Sequence, residues 1–236
     1  MWNHSFYRKP HIAMNKLIVF RILTIATLLL TAACSDEPKQ KVAKHSHDTS
    51  DIQPLDSLMD GDILFQISTS GQGKAIQLAT KSPYSHCGIL FKENKEWMVY
   101  EGVQPVKKTL LSEWINRGDG HHYVSKRHKD AASILTSEVK EKMKEEAKKL
   151  VGKNYDLTFE WNDDRIYCSE LVYKIYHRGA GISVGTLQKL QDFNLNSPIV
   201  RAKLNERYGK NIPLNETVIS PGSIFADSNL VEILSK

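Results

Sequence analysis

The amino-acid sequence predicts an α+β fold for residues 55–236. Three observations favour this class: most β-rich runs are grouped in the first half of this region, the clearest helix follows them, and strands and helices do not strictly alternate. No internal repeat and no second linker interrupt the region. We therefore expect a single folded domain over residues 55–236.

Four runs in the first half of the domain are predicted to be strands. Residues 62–67 follow a glycine turn and are rich in strand-forming side chains. Residues 86–91 and 97–101 flank a charged five-residue turn, a pattern that is typical of a β-hairpin. The fourth run covers residues 123–127. A hairpin at the centre of this group predicts an antiparallel sheet.

The clearest helix is predicted over residues 137–151, where apolar residues recur at helical spacing. Gly152 follows it, at the position where a left-handed C-cap belongs. Two shorter helices are expected over residues 74–80 and 111–116. A further helix is expected to begin at or just after Cys168, since apolar residues recur on one face of the segment that follows.

The last part of the chain gives weaker patterns. Beyond Gly181 no strong periodicity occurs until residues 217–219. That run and two others, over residues 223–225 and 230–234, are predicted to be short strands.

The first 33 residues are predicted to be a signal peptide, with Met14 as an alternative start. The apolar run over residues 22–33 is shorter than the roughly 20 residues that span a bilayer as a helix. It follows basic residues and ends at small residues, as the hydrophobic region of a secretory signal does. Residues 31–34 resemble a bacterial lipobox in which Cys34 becomes the lipidated N-terminus. Ordinary signal cleavage is the alternative.

Residues 34–54 are polar and contain almost nothing to bury, so they are predicted to form a flexible tether. With the lipobox, this predicts a lipoprotein anchored in a bacterial envelope membrane. The net charge of +5 includes four basic residues within the first 33 and no acidic one there, so removing them leaves +1. The nearly neutral remainder gives no reason to expect a nucleic-acid partner.

Cys168 is the first candidate for chemistry, because it stands where a helix is expected to start. Unpaired backbone N–H groups and the positive end of the helix dipole stabilise a thiolate there. The same N–H groups can hold the oxyanion of a tetrahedral intermediate. A disulfide between Cys168 and Cys87 is the alternative, since exported proteins usually pair their cysteines.

His86 and Glu101 complete a possible nucleophile, base and orienting group. His86 begins one strand of the hairpin, and Glu101 ends the other. Side chains alternate between the two faces of a strand, so His86 and Cys87 are expected on opposite faces. A bond between Cys87 and Cys168 is therefore not expected if His86 faces Cys168. A metal site formed by Cys168, His86 and one of the adjacent histidines 121 and 122 is a further alternative.

Six motifs in order resemble the permuted NlpC-type, papain-like cysteine peptidase family, and specifically its YiiX-like branch. They are Gly61-Asp62-Ile63-Leu64-Phe65, Ala75-Ile76-Gln77-Leu78-Ala79-Thr80, Tyr84-Ser85-His86-Cys87-Gly88, Tyr100-Glu101-Gly102-Val103, Gly152-Lys153-Asn154-Tyr155-Asp156 and Tyr167-Cys168-Ser169-Glu170-Leu171-Val172. The resemblance implies a circularly permuted fold in which the histidine precedes the cysteine. It also implies an antiparallel sheet or barrel packed against the helix that carries the cysteine.

In residue terms, the resemblance implies Cys168 as nucleophile, His86 as base and Glu101 as the polar third residue. Tyr167 and Tyr155 lie within matching motifs. One of them is expected to line the cleft and to donate to the substrate or the oxyanion, and packing is the alternative role.

The resulting hypothesis is a cysteine amidase or peptidase that forms a thioacyl-enzyme, with neither a metal nor an organic cofactor. Its expected substrate is a cell-wall peptide or a related amide. A lipid-directed acyltransferase or thioesterase on the same fold is the enzymatic alternative. A non-catalytic envelope binding lipoprotein is the other.

Overall fold

The computed structural model describes residues 55–236. Its strands are β1 (Ile63–Ser68), β2 (His86–Glu93), β3 (Glu96–Glu101), β4 (Lys107–Leu110), β5 (Gly118–His128), β6 (Asn154–Tyr155), β7 (Arg165–Ile166), β8 (Gln188–Lys189), β9 (Thr217–Val218) and β10 (Leu230–Ser235). Six of them form one antiparallel sheet in the order β10-β5-β1-β2-β3-β4. The strands β6 and β7, and likewise β8 and β9, form two-stranded pairs.

Seven α-helices accompany the strands. They are α1 (Gly71–Thr80), α2 (Leu111–Asn116), α3 (Ala131–Ile134), α4 (Ser137–Leu150), α5 (Cys168–Ile175), α6 (Pro198–Tyr208) and α7 (Pro221–Phe225). Helix α5 continues into a π-helical turn over Tyr176–Ala180, which ends at Gly181 with φ of 71°. Within residues 55–236, no helix is long and apolar enough to cross a bilayer.

The main sheet buries both of its faces, and strand alternation decides which side chains each face receives. On one face, Ile63, Phe65 and Cys87 pack with residues of α4 and α5 in the larger hydrophobic cluster. On the other face, Leu64 and Leu90 pack with residues of α2 in a second cluster. The cysteine-bearing helix α5 therefore lies on one face of the sheet and α2 on the opposite face.

This arrangement confirms the predicted α+β class, with an antiparallel sheet packed against α5. The central hairpin is β2 and β3, and α2 has the predicted bounds. One prediction is wrong: residues 223–225 lie in helix α7, not in a strand. The helix starts there because Ser220 Oγ accepts the N–H of Ser223 at 3.0 Å and Pro221 occupies the first turn.

Candidate active site

Cys168 is the first residue of α5 and is buried, with 3% of its surface exposed. Tyr167 before it is extended, with φ of −105° and ψ of 168°, so the helix starts abruptly at the cysteine. The N–H groups of the first helical turn have no partner within the helix. The Cys168 sulfur thus lies at a helix end that favours negative charge.

Gly102 lets the start of α5 approach the sheet closely. A Cβ built on Gly102 would lie 2.6 Å from the backbone nitrogen of Cys168 and 2.8 Å from its Cα. Glu101, the residue before Gly102, is the last residue of β3 and pairs in register with Gly88 of β2. The end of the hairpin and the start of α5 therefore meet at this glycine.

His86 and Glu101 form a hydrogen-bonded pair at this end of the hairpin. His86 Nε2 lies 2.7 Å from Glu101 Oε2, and the Glu101 side chain is fully buried. Two further donors hold the carboxylate: the Thr109 hydroxyl at 2.6 Å from Oε1, and the Arg117 guanidinium on the same oxygen. Burial alone would raise the pKa of Glu101, but His86 together with Arg117 and Thr109 outweighs it and lowers this pKa to about 2.

The second nitrogen of His86 faces the cysteine. Nε2 is committed to Glu101, so Nδ1 is the ring nitrogen left to interact with Cys168, which lies near enough to raise the pKa of His86. Burial alone would lower the pKa of His86, but hydrogen bonds to Cys168 and Glu101 and the charges on both raise it to about 9. The imidazole also stacks on Trp114 of α2, with ring centroids 6.1 Å apart.

The pKa of the Cys168 thiol lies well below its ordinary value. The largest cause is a hydrogen bond from the Cys87 side chain, and His86 adds a hydrogen bond and its charge, which together outweigh the effect of burial. The backbone N–H of Cys87 is a smaller cause of the same lowering of the pKa. Both cysteines are free thiols.

His86 and Cys87 face opposite sides of the sheet, as strand alternation predicts, since His86 stacks on Trp114 whereas Cys87 belongs to the cluster of α5. The alternative of a disulfide between Cys87 and Cys168 is not what the structure has, because both are free cysteines. Cys87 nevertheless lies near enough to Cys168 to lower the pKa of its thiol.

The two candidate tyrosines have different surroundings. The Tyr167 hydroxyl accepts the N–H of Ile219 at 3.1 Å, and the ring packs edge-on against Phe159. The Tyr155 hydroxyl accepts a hydrogen bond from Gln72 Nε2 at 2.7 Å and is close enough to Cys168 for the thiolate charge to raise the pKa of Tyr155, after the larger effect of burial. Both rings line the cavity beside Cys168.

That cavity has a volume of about 100 Å³ and mostly apolar walls. Side chains from α1, α6 and the segments around them form it, among them Ile76, Phe159, Leu195, Val200, Leu204 and Ile219. On the His86 side lies a second, more polar groove of about 350 Å³. Gln72 and Tyr155 line both spaces, so they stand between them.

Sequence reasoning missed several residues of this site. Thr109, Arg117 and Gln72 lie outside the six motifs, and a single threonine, arginine or glutamine carries no pattern that marks it. Helix α6 did have a signal, because Ser197 and Pro198 form a helix start and Val200 and Leu204 are four residues apart.

Comparisons with known proteins identify the family and the fold. The family model described as permuted papain-like amidase enzyme, YaeF/YiiX, C92 family, matches residues 57–234. The chain belongs to this permuted papain-like amidase family. One member, described as uncharacterized protein YiiX from Escherichia coli K12, is 51% identical over 173 residues, which are 73% of this chain and 84% of that protein.

A solved structure from the same family shares the fold. It is the crystal structure described as metalloprotein yiiX from Escherichia coli O157:H7, with a TM-score of 0.73 and 49% identity. The match covers 76% of this chain and 98% of that one. The family fold is therefore shown here with the histidine on β2 ahead of the cysteine on α5, in the permuted order.

A metal site does not fit the residues that the structure describes. Within 55–236, no group of three or more His, Cys, Asp or Glu side chains is arranged to hold a metal ion. The adjacent His121 and His122 are exposed on β5. The residues of the predicted signal peptide and of the predicted tether, Cys34 among them, lie outside the described residues.

Proposed function

We propose that this chain is a cysteine amidase in which Cys168 attacks the carbonyl carbon of an amide and forms a thioacyl-enzyme. The observation that carries the proposal is the contact series from Cys168 through His86 to the buried Glu101, at the start of α5. Membership in an amidase family supports the same chemistry.

The charges on the resting site suit this reaction. The lowered pKa of Cys168 and the raised pKa of His86 give a thiolate beside an imidazolium at neutral pH. The thiolate forms the C–S bond, and the carbonyl π electrons move to oxygen. As the tetrahedral intermediate collapses, the imidazolium donates its proton to the departing amine. His86 then takes a proton from water, which attacks the thioacyl carbonyl and releases the acid and the thiolate.

The oxyanion requires donors beside Cys168, and two sources are present. The first-turn N–H groups of α5 are one. The Tyr155 hydroxyl is the second, because it accepts its hydrogen bond from Gln72 and keeps its own hydrogen free to donate. We assign Tyr167 a packing role instead, since its side chain is buried and its ring packs edge-on against Phe159.

For the substrate, the cavity favours the lipid-directed alternative over a cell-wall peptide. A charged or polar peptide side chain would lose its water on entering a space whose exposed wall is mostly apolar, with Ile76, Leu204 and Ile219 among its lining residues. An alkyl chain gains about 0.8 kcal/mol for each methylene that it buries. We therefore propose an amide or ester of an apolar acyl group as substrate, with its leaving group in the polar groove beside His86.

The purified full chain is assayed with a series of amides that share one leaving group and differ in the length of the acyl chain. Cell-wall stem peptides are assayed in parallel for comparison. We expect kcat/KM to rise with chain length, and Cys168→Ala to abolish turnover. Leu195→Gln, in the cavity wall, is expected to lower kcat/KM tenfold or so for long chains and little for acetyl. Leu214→Gln, at an exposed leucine outside that wall, is the matched control.

Each other outcome identifies a competing function. Faster cleavage of stem peptides than of any acyl amide would restore the peptide substrate. Turnover of none of them by a folded protein would contradict the enzyme and leave a binding lipoprotein.

We also propose that the domain is anchored in the bacterial envelope through lipidated Cys34. The support is the sequence of residues 31–34 after an apolar run of signal-peptide length. Intact mass of the protein from a bacterial membrane fraction tests it. We expect an N-terminus at position 34 that carries acyl groups. This acylated form should be absent from the Cys34→Ser variant. An unmodified N-terminus produced by ordinary cleavage would contradict it.

A further inference from the structure

Cys87 stands next to the nucleophile, although the amidase mechanism uses one thiol only. It is the second residue of β2 and is fully buried. Since Gly88 pairs with Glu101, the register places Cys87 opposite Gly102. Gly102 in turn touches the backbone of Cys168, because its Cβ position lies 2.6 Å from the Cys168 nitrogen. The two cysteines therefore flank the same glycine.

The backbone of β2 also turns toward the start of α5. Leu90 N–H bonds to Asp62 of the β1 side, so the N–H of Cys87, an odd number of residues away, faces the β3 side. Strand β3 ends at Glu101, so this N–H points past the end of β3, to the side where Gly102 meets Cys168. Cys87 lies near enough to Cys168 to lower the pKa of its thiol. Both residues belong to one buried cluster, and neither is disulfide-bonded.

We propose that Cys87 is a resolving cysteine for Cys168: when a hydroperoxide oxidises the nucleophile, Cys87 closes a reversible disulfide with it. A buried free cysteine usually serves as a small apolar side chain. Its position beside a second sulfur gives this one a further chemical use. The inference rests on the reactive Cys168 of the proposed function, but not on amidase turnover.

The disulfide forms in two steps, oxidation of Cys168 and then attack by Cys87. The Cys168 thiolate attacks the terminal oxygen of the hydroperoxide, so that an S–O bond forms, the O–O bond breaks and an alcohol leaves after taking up a proton. Cys168 is then a sulfenic acid, oxidised by two electrons, and the peroxide is reduced. The Cys87 sulfur attacks the Cys168 sulfur, and the S–O bond breaks. The thiol proton of Cys87 leaves with the hydroxide as water.

The disulfide would inactivate the enzyme reversibly and would also protect Cys168 from further oxidation. A sulfenic acid with no thiol beside it is oxidised further to sulfinic and sulfonic acids, which ordinary thiol reductants do not reverse. Because Cys87 flanks the same glycine as Cys168, its thiol is the sulfur placed to close an S–S bond of about 2 Å with the sulfenic acid. Peroxide reaches Cys168 through the cavity that it lines.

Mass spectrometry of the full chain in detergent tests this inference. The variant Cys34→Ser leaves two of the three cysteines, so each thiol can be followed. The protein is reduced, treated with hydrogen peroxide and alkylated. We expect a mass lower by two hydrogen atoms, a tryptic peptide pair that joins Cys87 to Cys168, and full recovery of both thiols after reduction. Cys168 oxidised by two or three oxygen atoms, with no such peptide pair, would overturn the proposal.

The variant Cys34→Ser/Cys87→Ala is the matched control. Its Cys168 is expected to gain two or three oxygen atoms and not to recover with a thiol reductant. Cys87→Ser, which keeps the side-chain size, serves if the alanine variant does not fold. Reversible recovery in a folded variant without Cys87 would also overturn the proposal. None of these measurements uses a substrate, so failure of the amidase assignment and failure of this inference give different results.

Discussion

At neutral pH, opposite pKa shifts on two touching side chains determine the charge state of the site. His86 has a pKa of about 9, and that of Cys168 lies well below its ordinary value. Glu101, with a pKa of about 2, stays ionised over the whole working range and holds the imidazolium on its other side. The pair is therefore charged until the pH approaches the pKa of the histidine.

The pH dependence of turnover follows from this order. The imidazolium must donate a proton to the leaving amine, so kcat/KM is expected to fall as the pH rises through about 9. Alkylation of Cys168 by iodoacetamide should stay fast well below pH 8.5, because the thiolate persists there. Both rates are measured from pH 5 to 10, with Cys168→Ala as the blank. A basic limb near pH 6.5 would contradict the raised pKa of His86.

The substitution Glu101→Gln tests how the charge of the Glu101 carboxylate affects His86. The amide keeps the size of the side chain but removes the carboxylate that accepts from His86 Nε2. We expect kcat to fall by about 10²–10⁴, as when the orienting acid of a triad is made neutral. The basic limb should also move to lower pH, because the charge and the acceptor that raise the pKa of His86 are gone. A loss of kcat with an unmoved limb would reduce Glu101 to a packing role.

The sequence alone predicted the three candidate side chains that the structure brings together, but not the side chains that hold them in place. Cys168, His86 and Glu101 each stand at an element boundary within a motif, which local patterns indicate. Thr109 reaches Glu101 from β4, and Arg117 reaches it from the end of α2. Those contacts depend on tertiary distances, and no local pattern in one sequence encodes them.

At the scale of elements, the approach of α5 to the end of the hairpin positions the nucleophile. Gly102→Ala places a methyl group 2.6 Å from the Cys168 nitrogen, so α5 must move. We expect a loss of about 1–3 kcal/mol in the free energy of unfolding, together with a fall in kcat, since the sulfur shifts with the helix. Urea unfolding and turnover are measured together.

Gly71→Ala is the matched control, because a Cβ at Gly71 in α1 meets nothing within 4 Å. Its stability should be unchanged or slightly higher, as alanine favours a helix. Equal effects of the two substitutions would show that the approach at Gly102 is looser than 2.6 Å.

Strongly periodic elements were predictable, and the cavity wall was not. Helix α4 and the hairpin have repeated apolar spacing over many residues, so local patterning determined them. Helix α7 spans five residues, Pro221–Phe225, which is too short for periodicity to separate a helix from a strand. Helix α6 has a start signal at Ser197 and Pro198, but it buries only Val200 and Leu204, and two residues do not indicate that the helix lines a cavity beside Cys168.

For the whole molecule, a buried ion pair ties the segment before β1 to β5. Arg127 Nε donates to Asp62 Oδ1 at 2.6 Å, and the guanidinium also bonds to Asp62 Oδ2 and to the Ser57 carbonyl. Asp62 is fully buried and accepts the N–H of Met59 as well. Removing the arginine alone would leave an uncompensated buried charge.

Arg127→Ala is therefore expected to cost about 3–5 kcal/mol in the free energy of unfolding and to lower Tm by about 6–20 °C. Adding Asp62→Asn should recover part of the loss, because it removes the isolated charge. Arg178→Ala is the control: its partner Asp163 is half exposed, so the cost should stay below about 1 kcal/mol. Calorimetry checks all three. A loss below 1 kcal/mol for Arg127→Ala would mean that water replaces the guanidinium.

The permuted order also determines when the ribosome completes the active site. His86 and Glu101 are made first, and Cys168 follows Glu101 by 67 positions. At about 5–20 residues per second, that gap takes about 3–13 s of translation. Strands β1 to β5 are complete by residue 128, so five of the six sheet strands are synthesised before the nucleophile exists. During this interval the nascent chain has the base and the orienting acid but not Cys168. Cys168 therefore cannot attack a neighbouring polypeptide and form a thioacyl bond with it at this stage of synthesis.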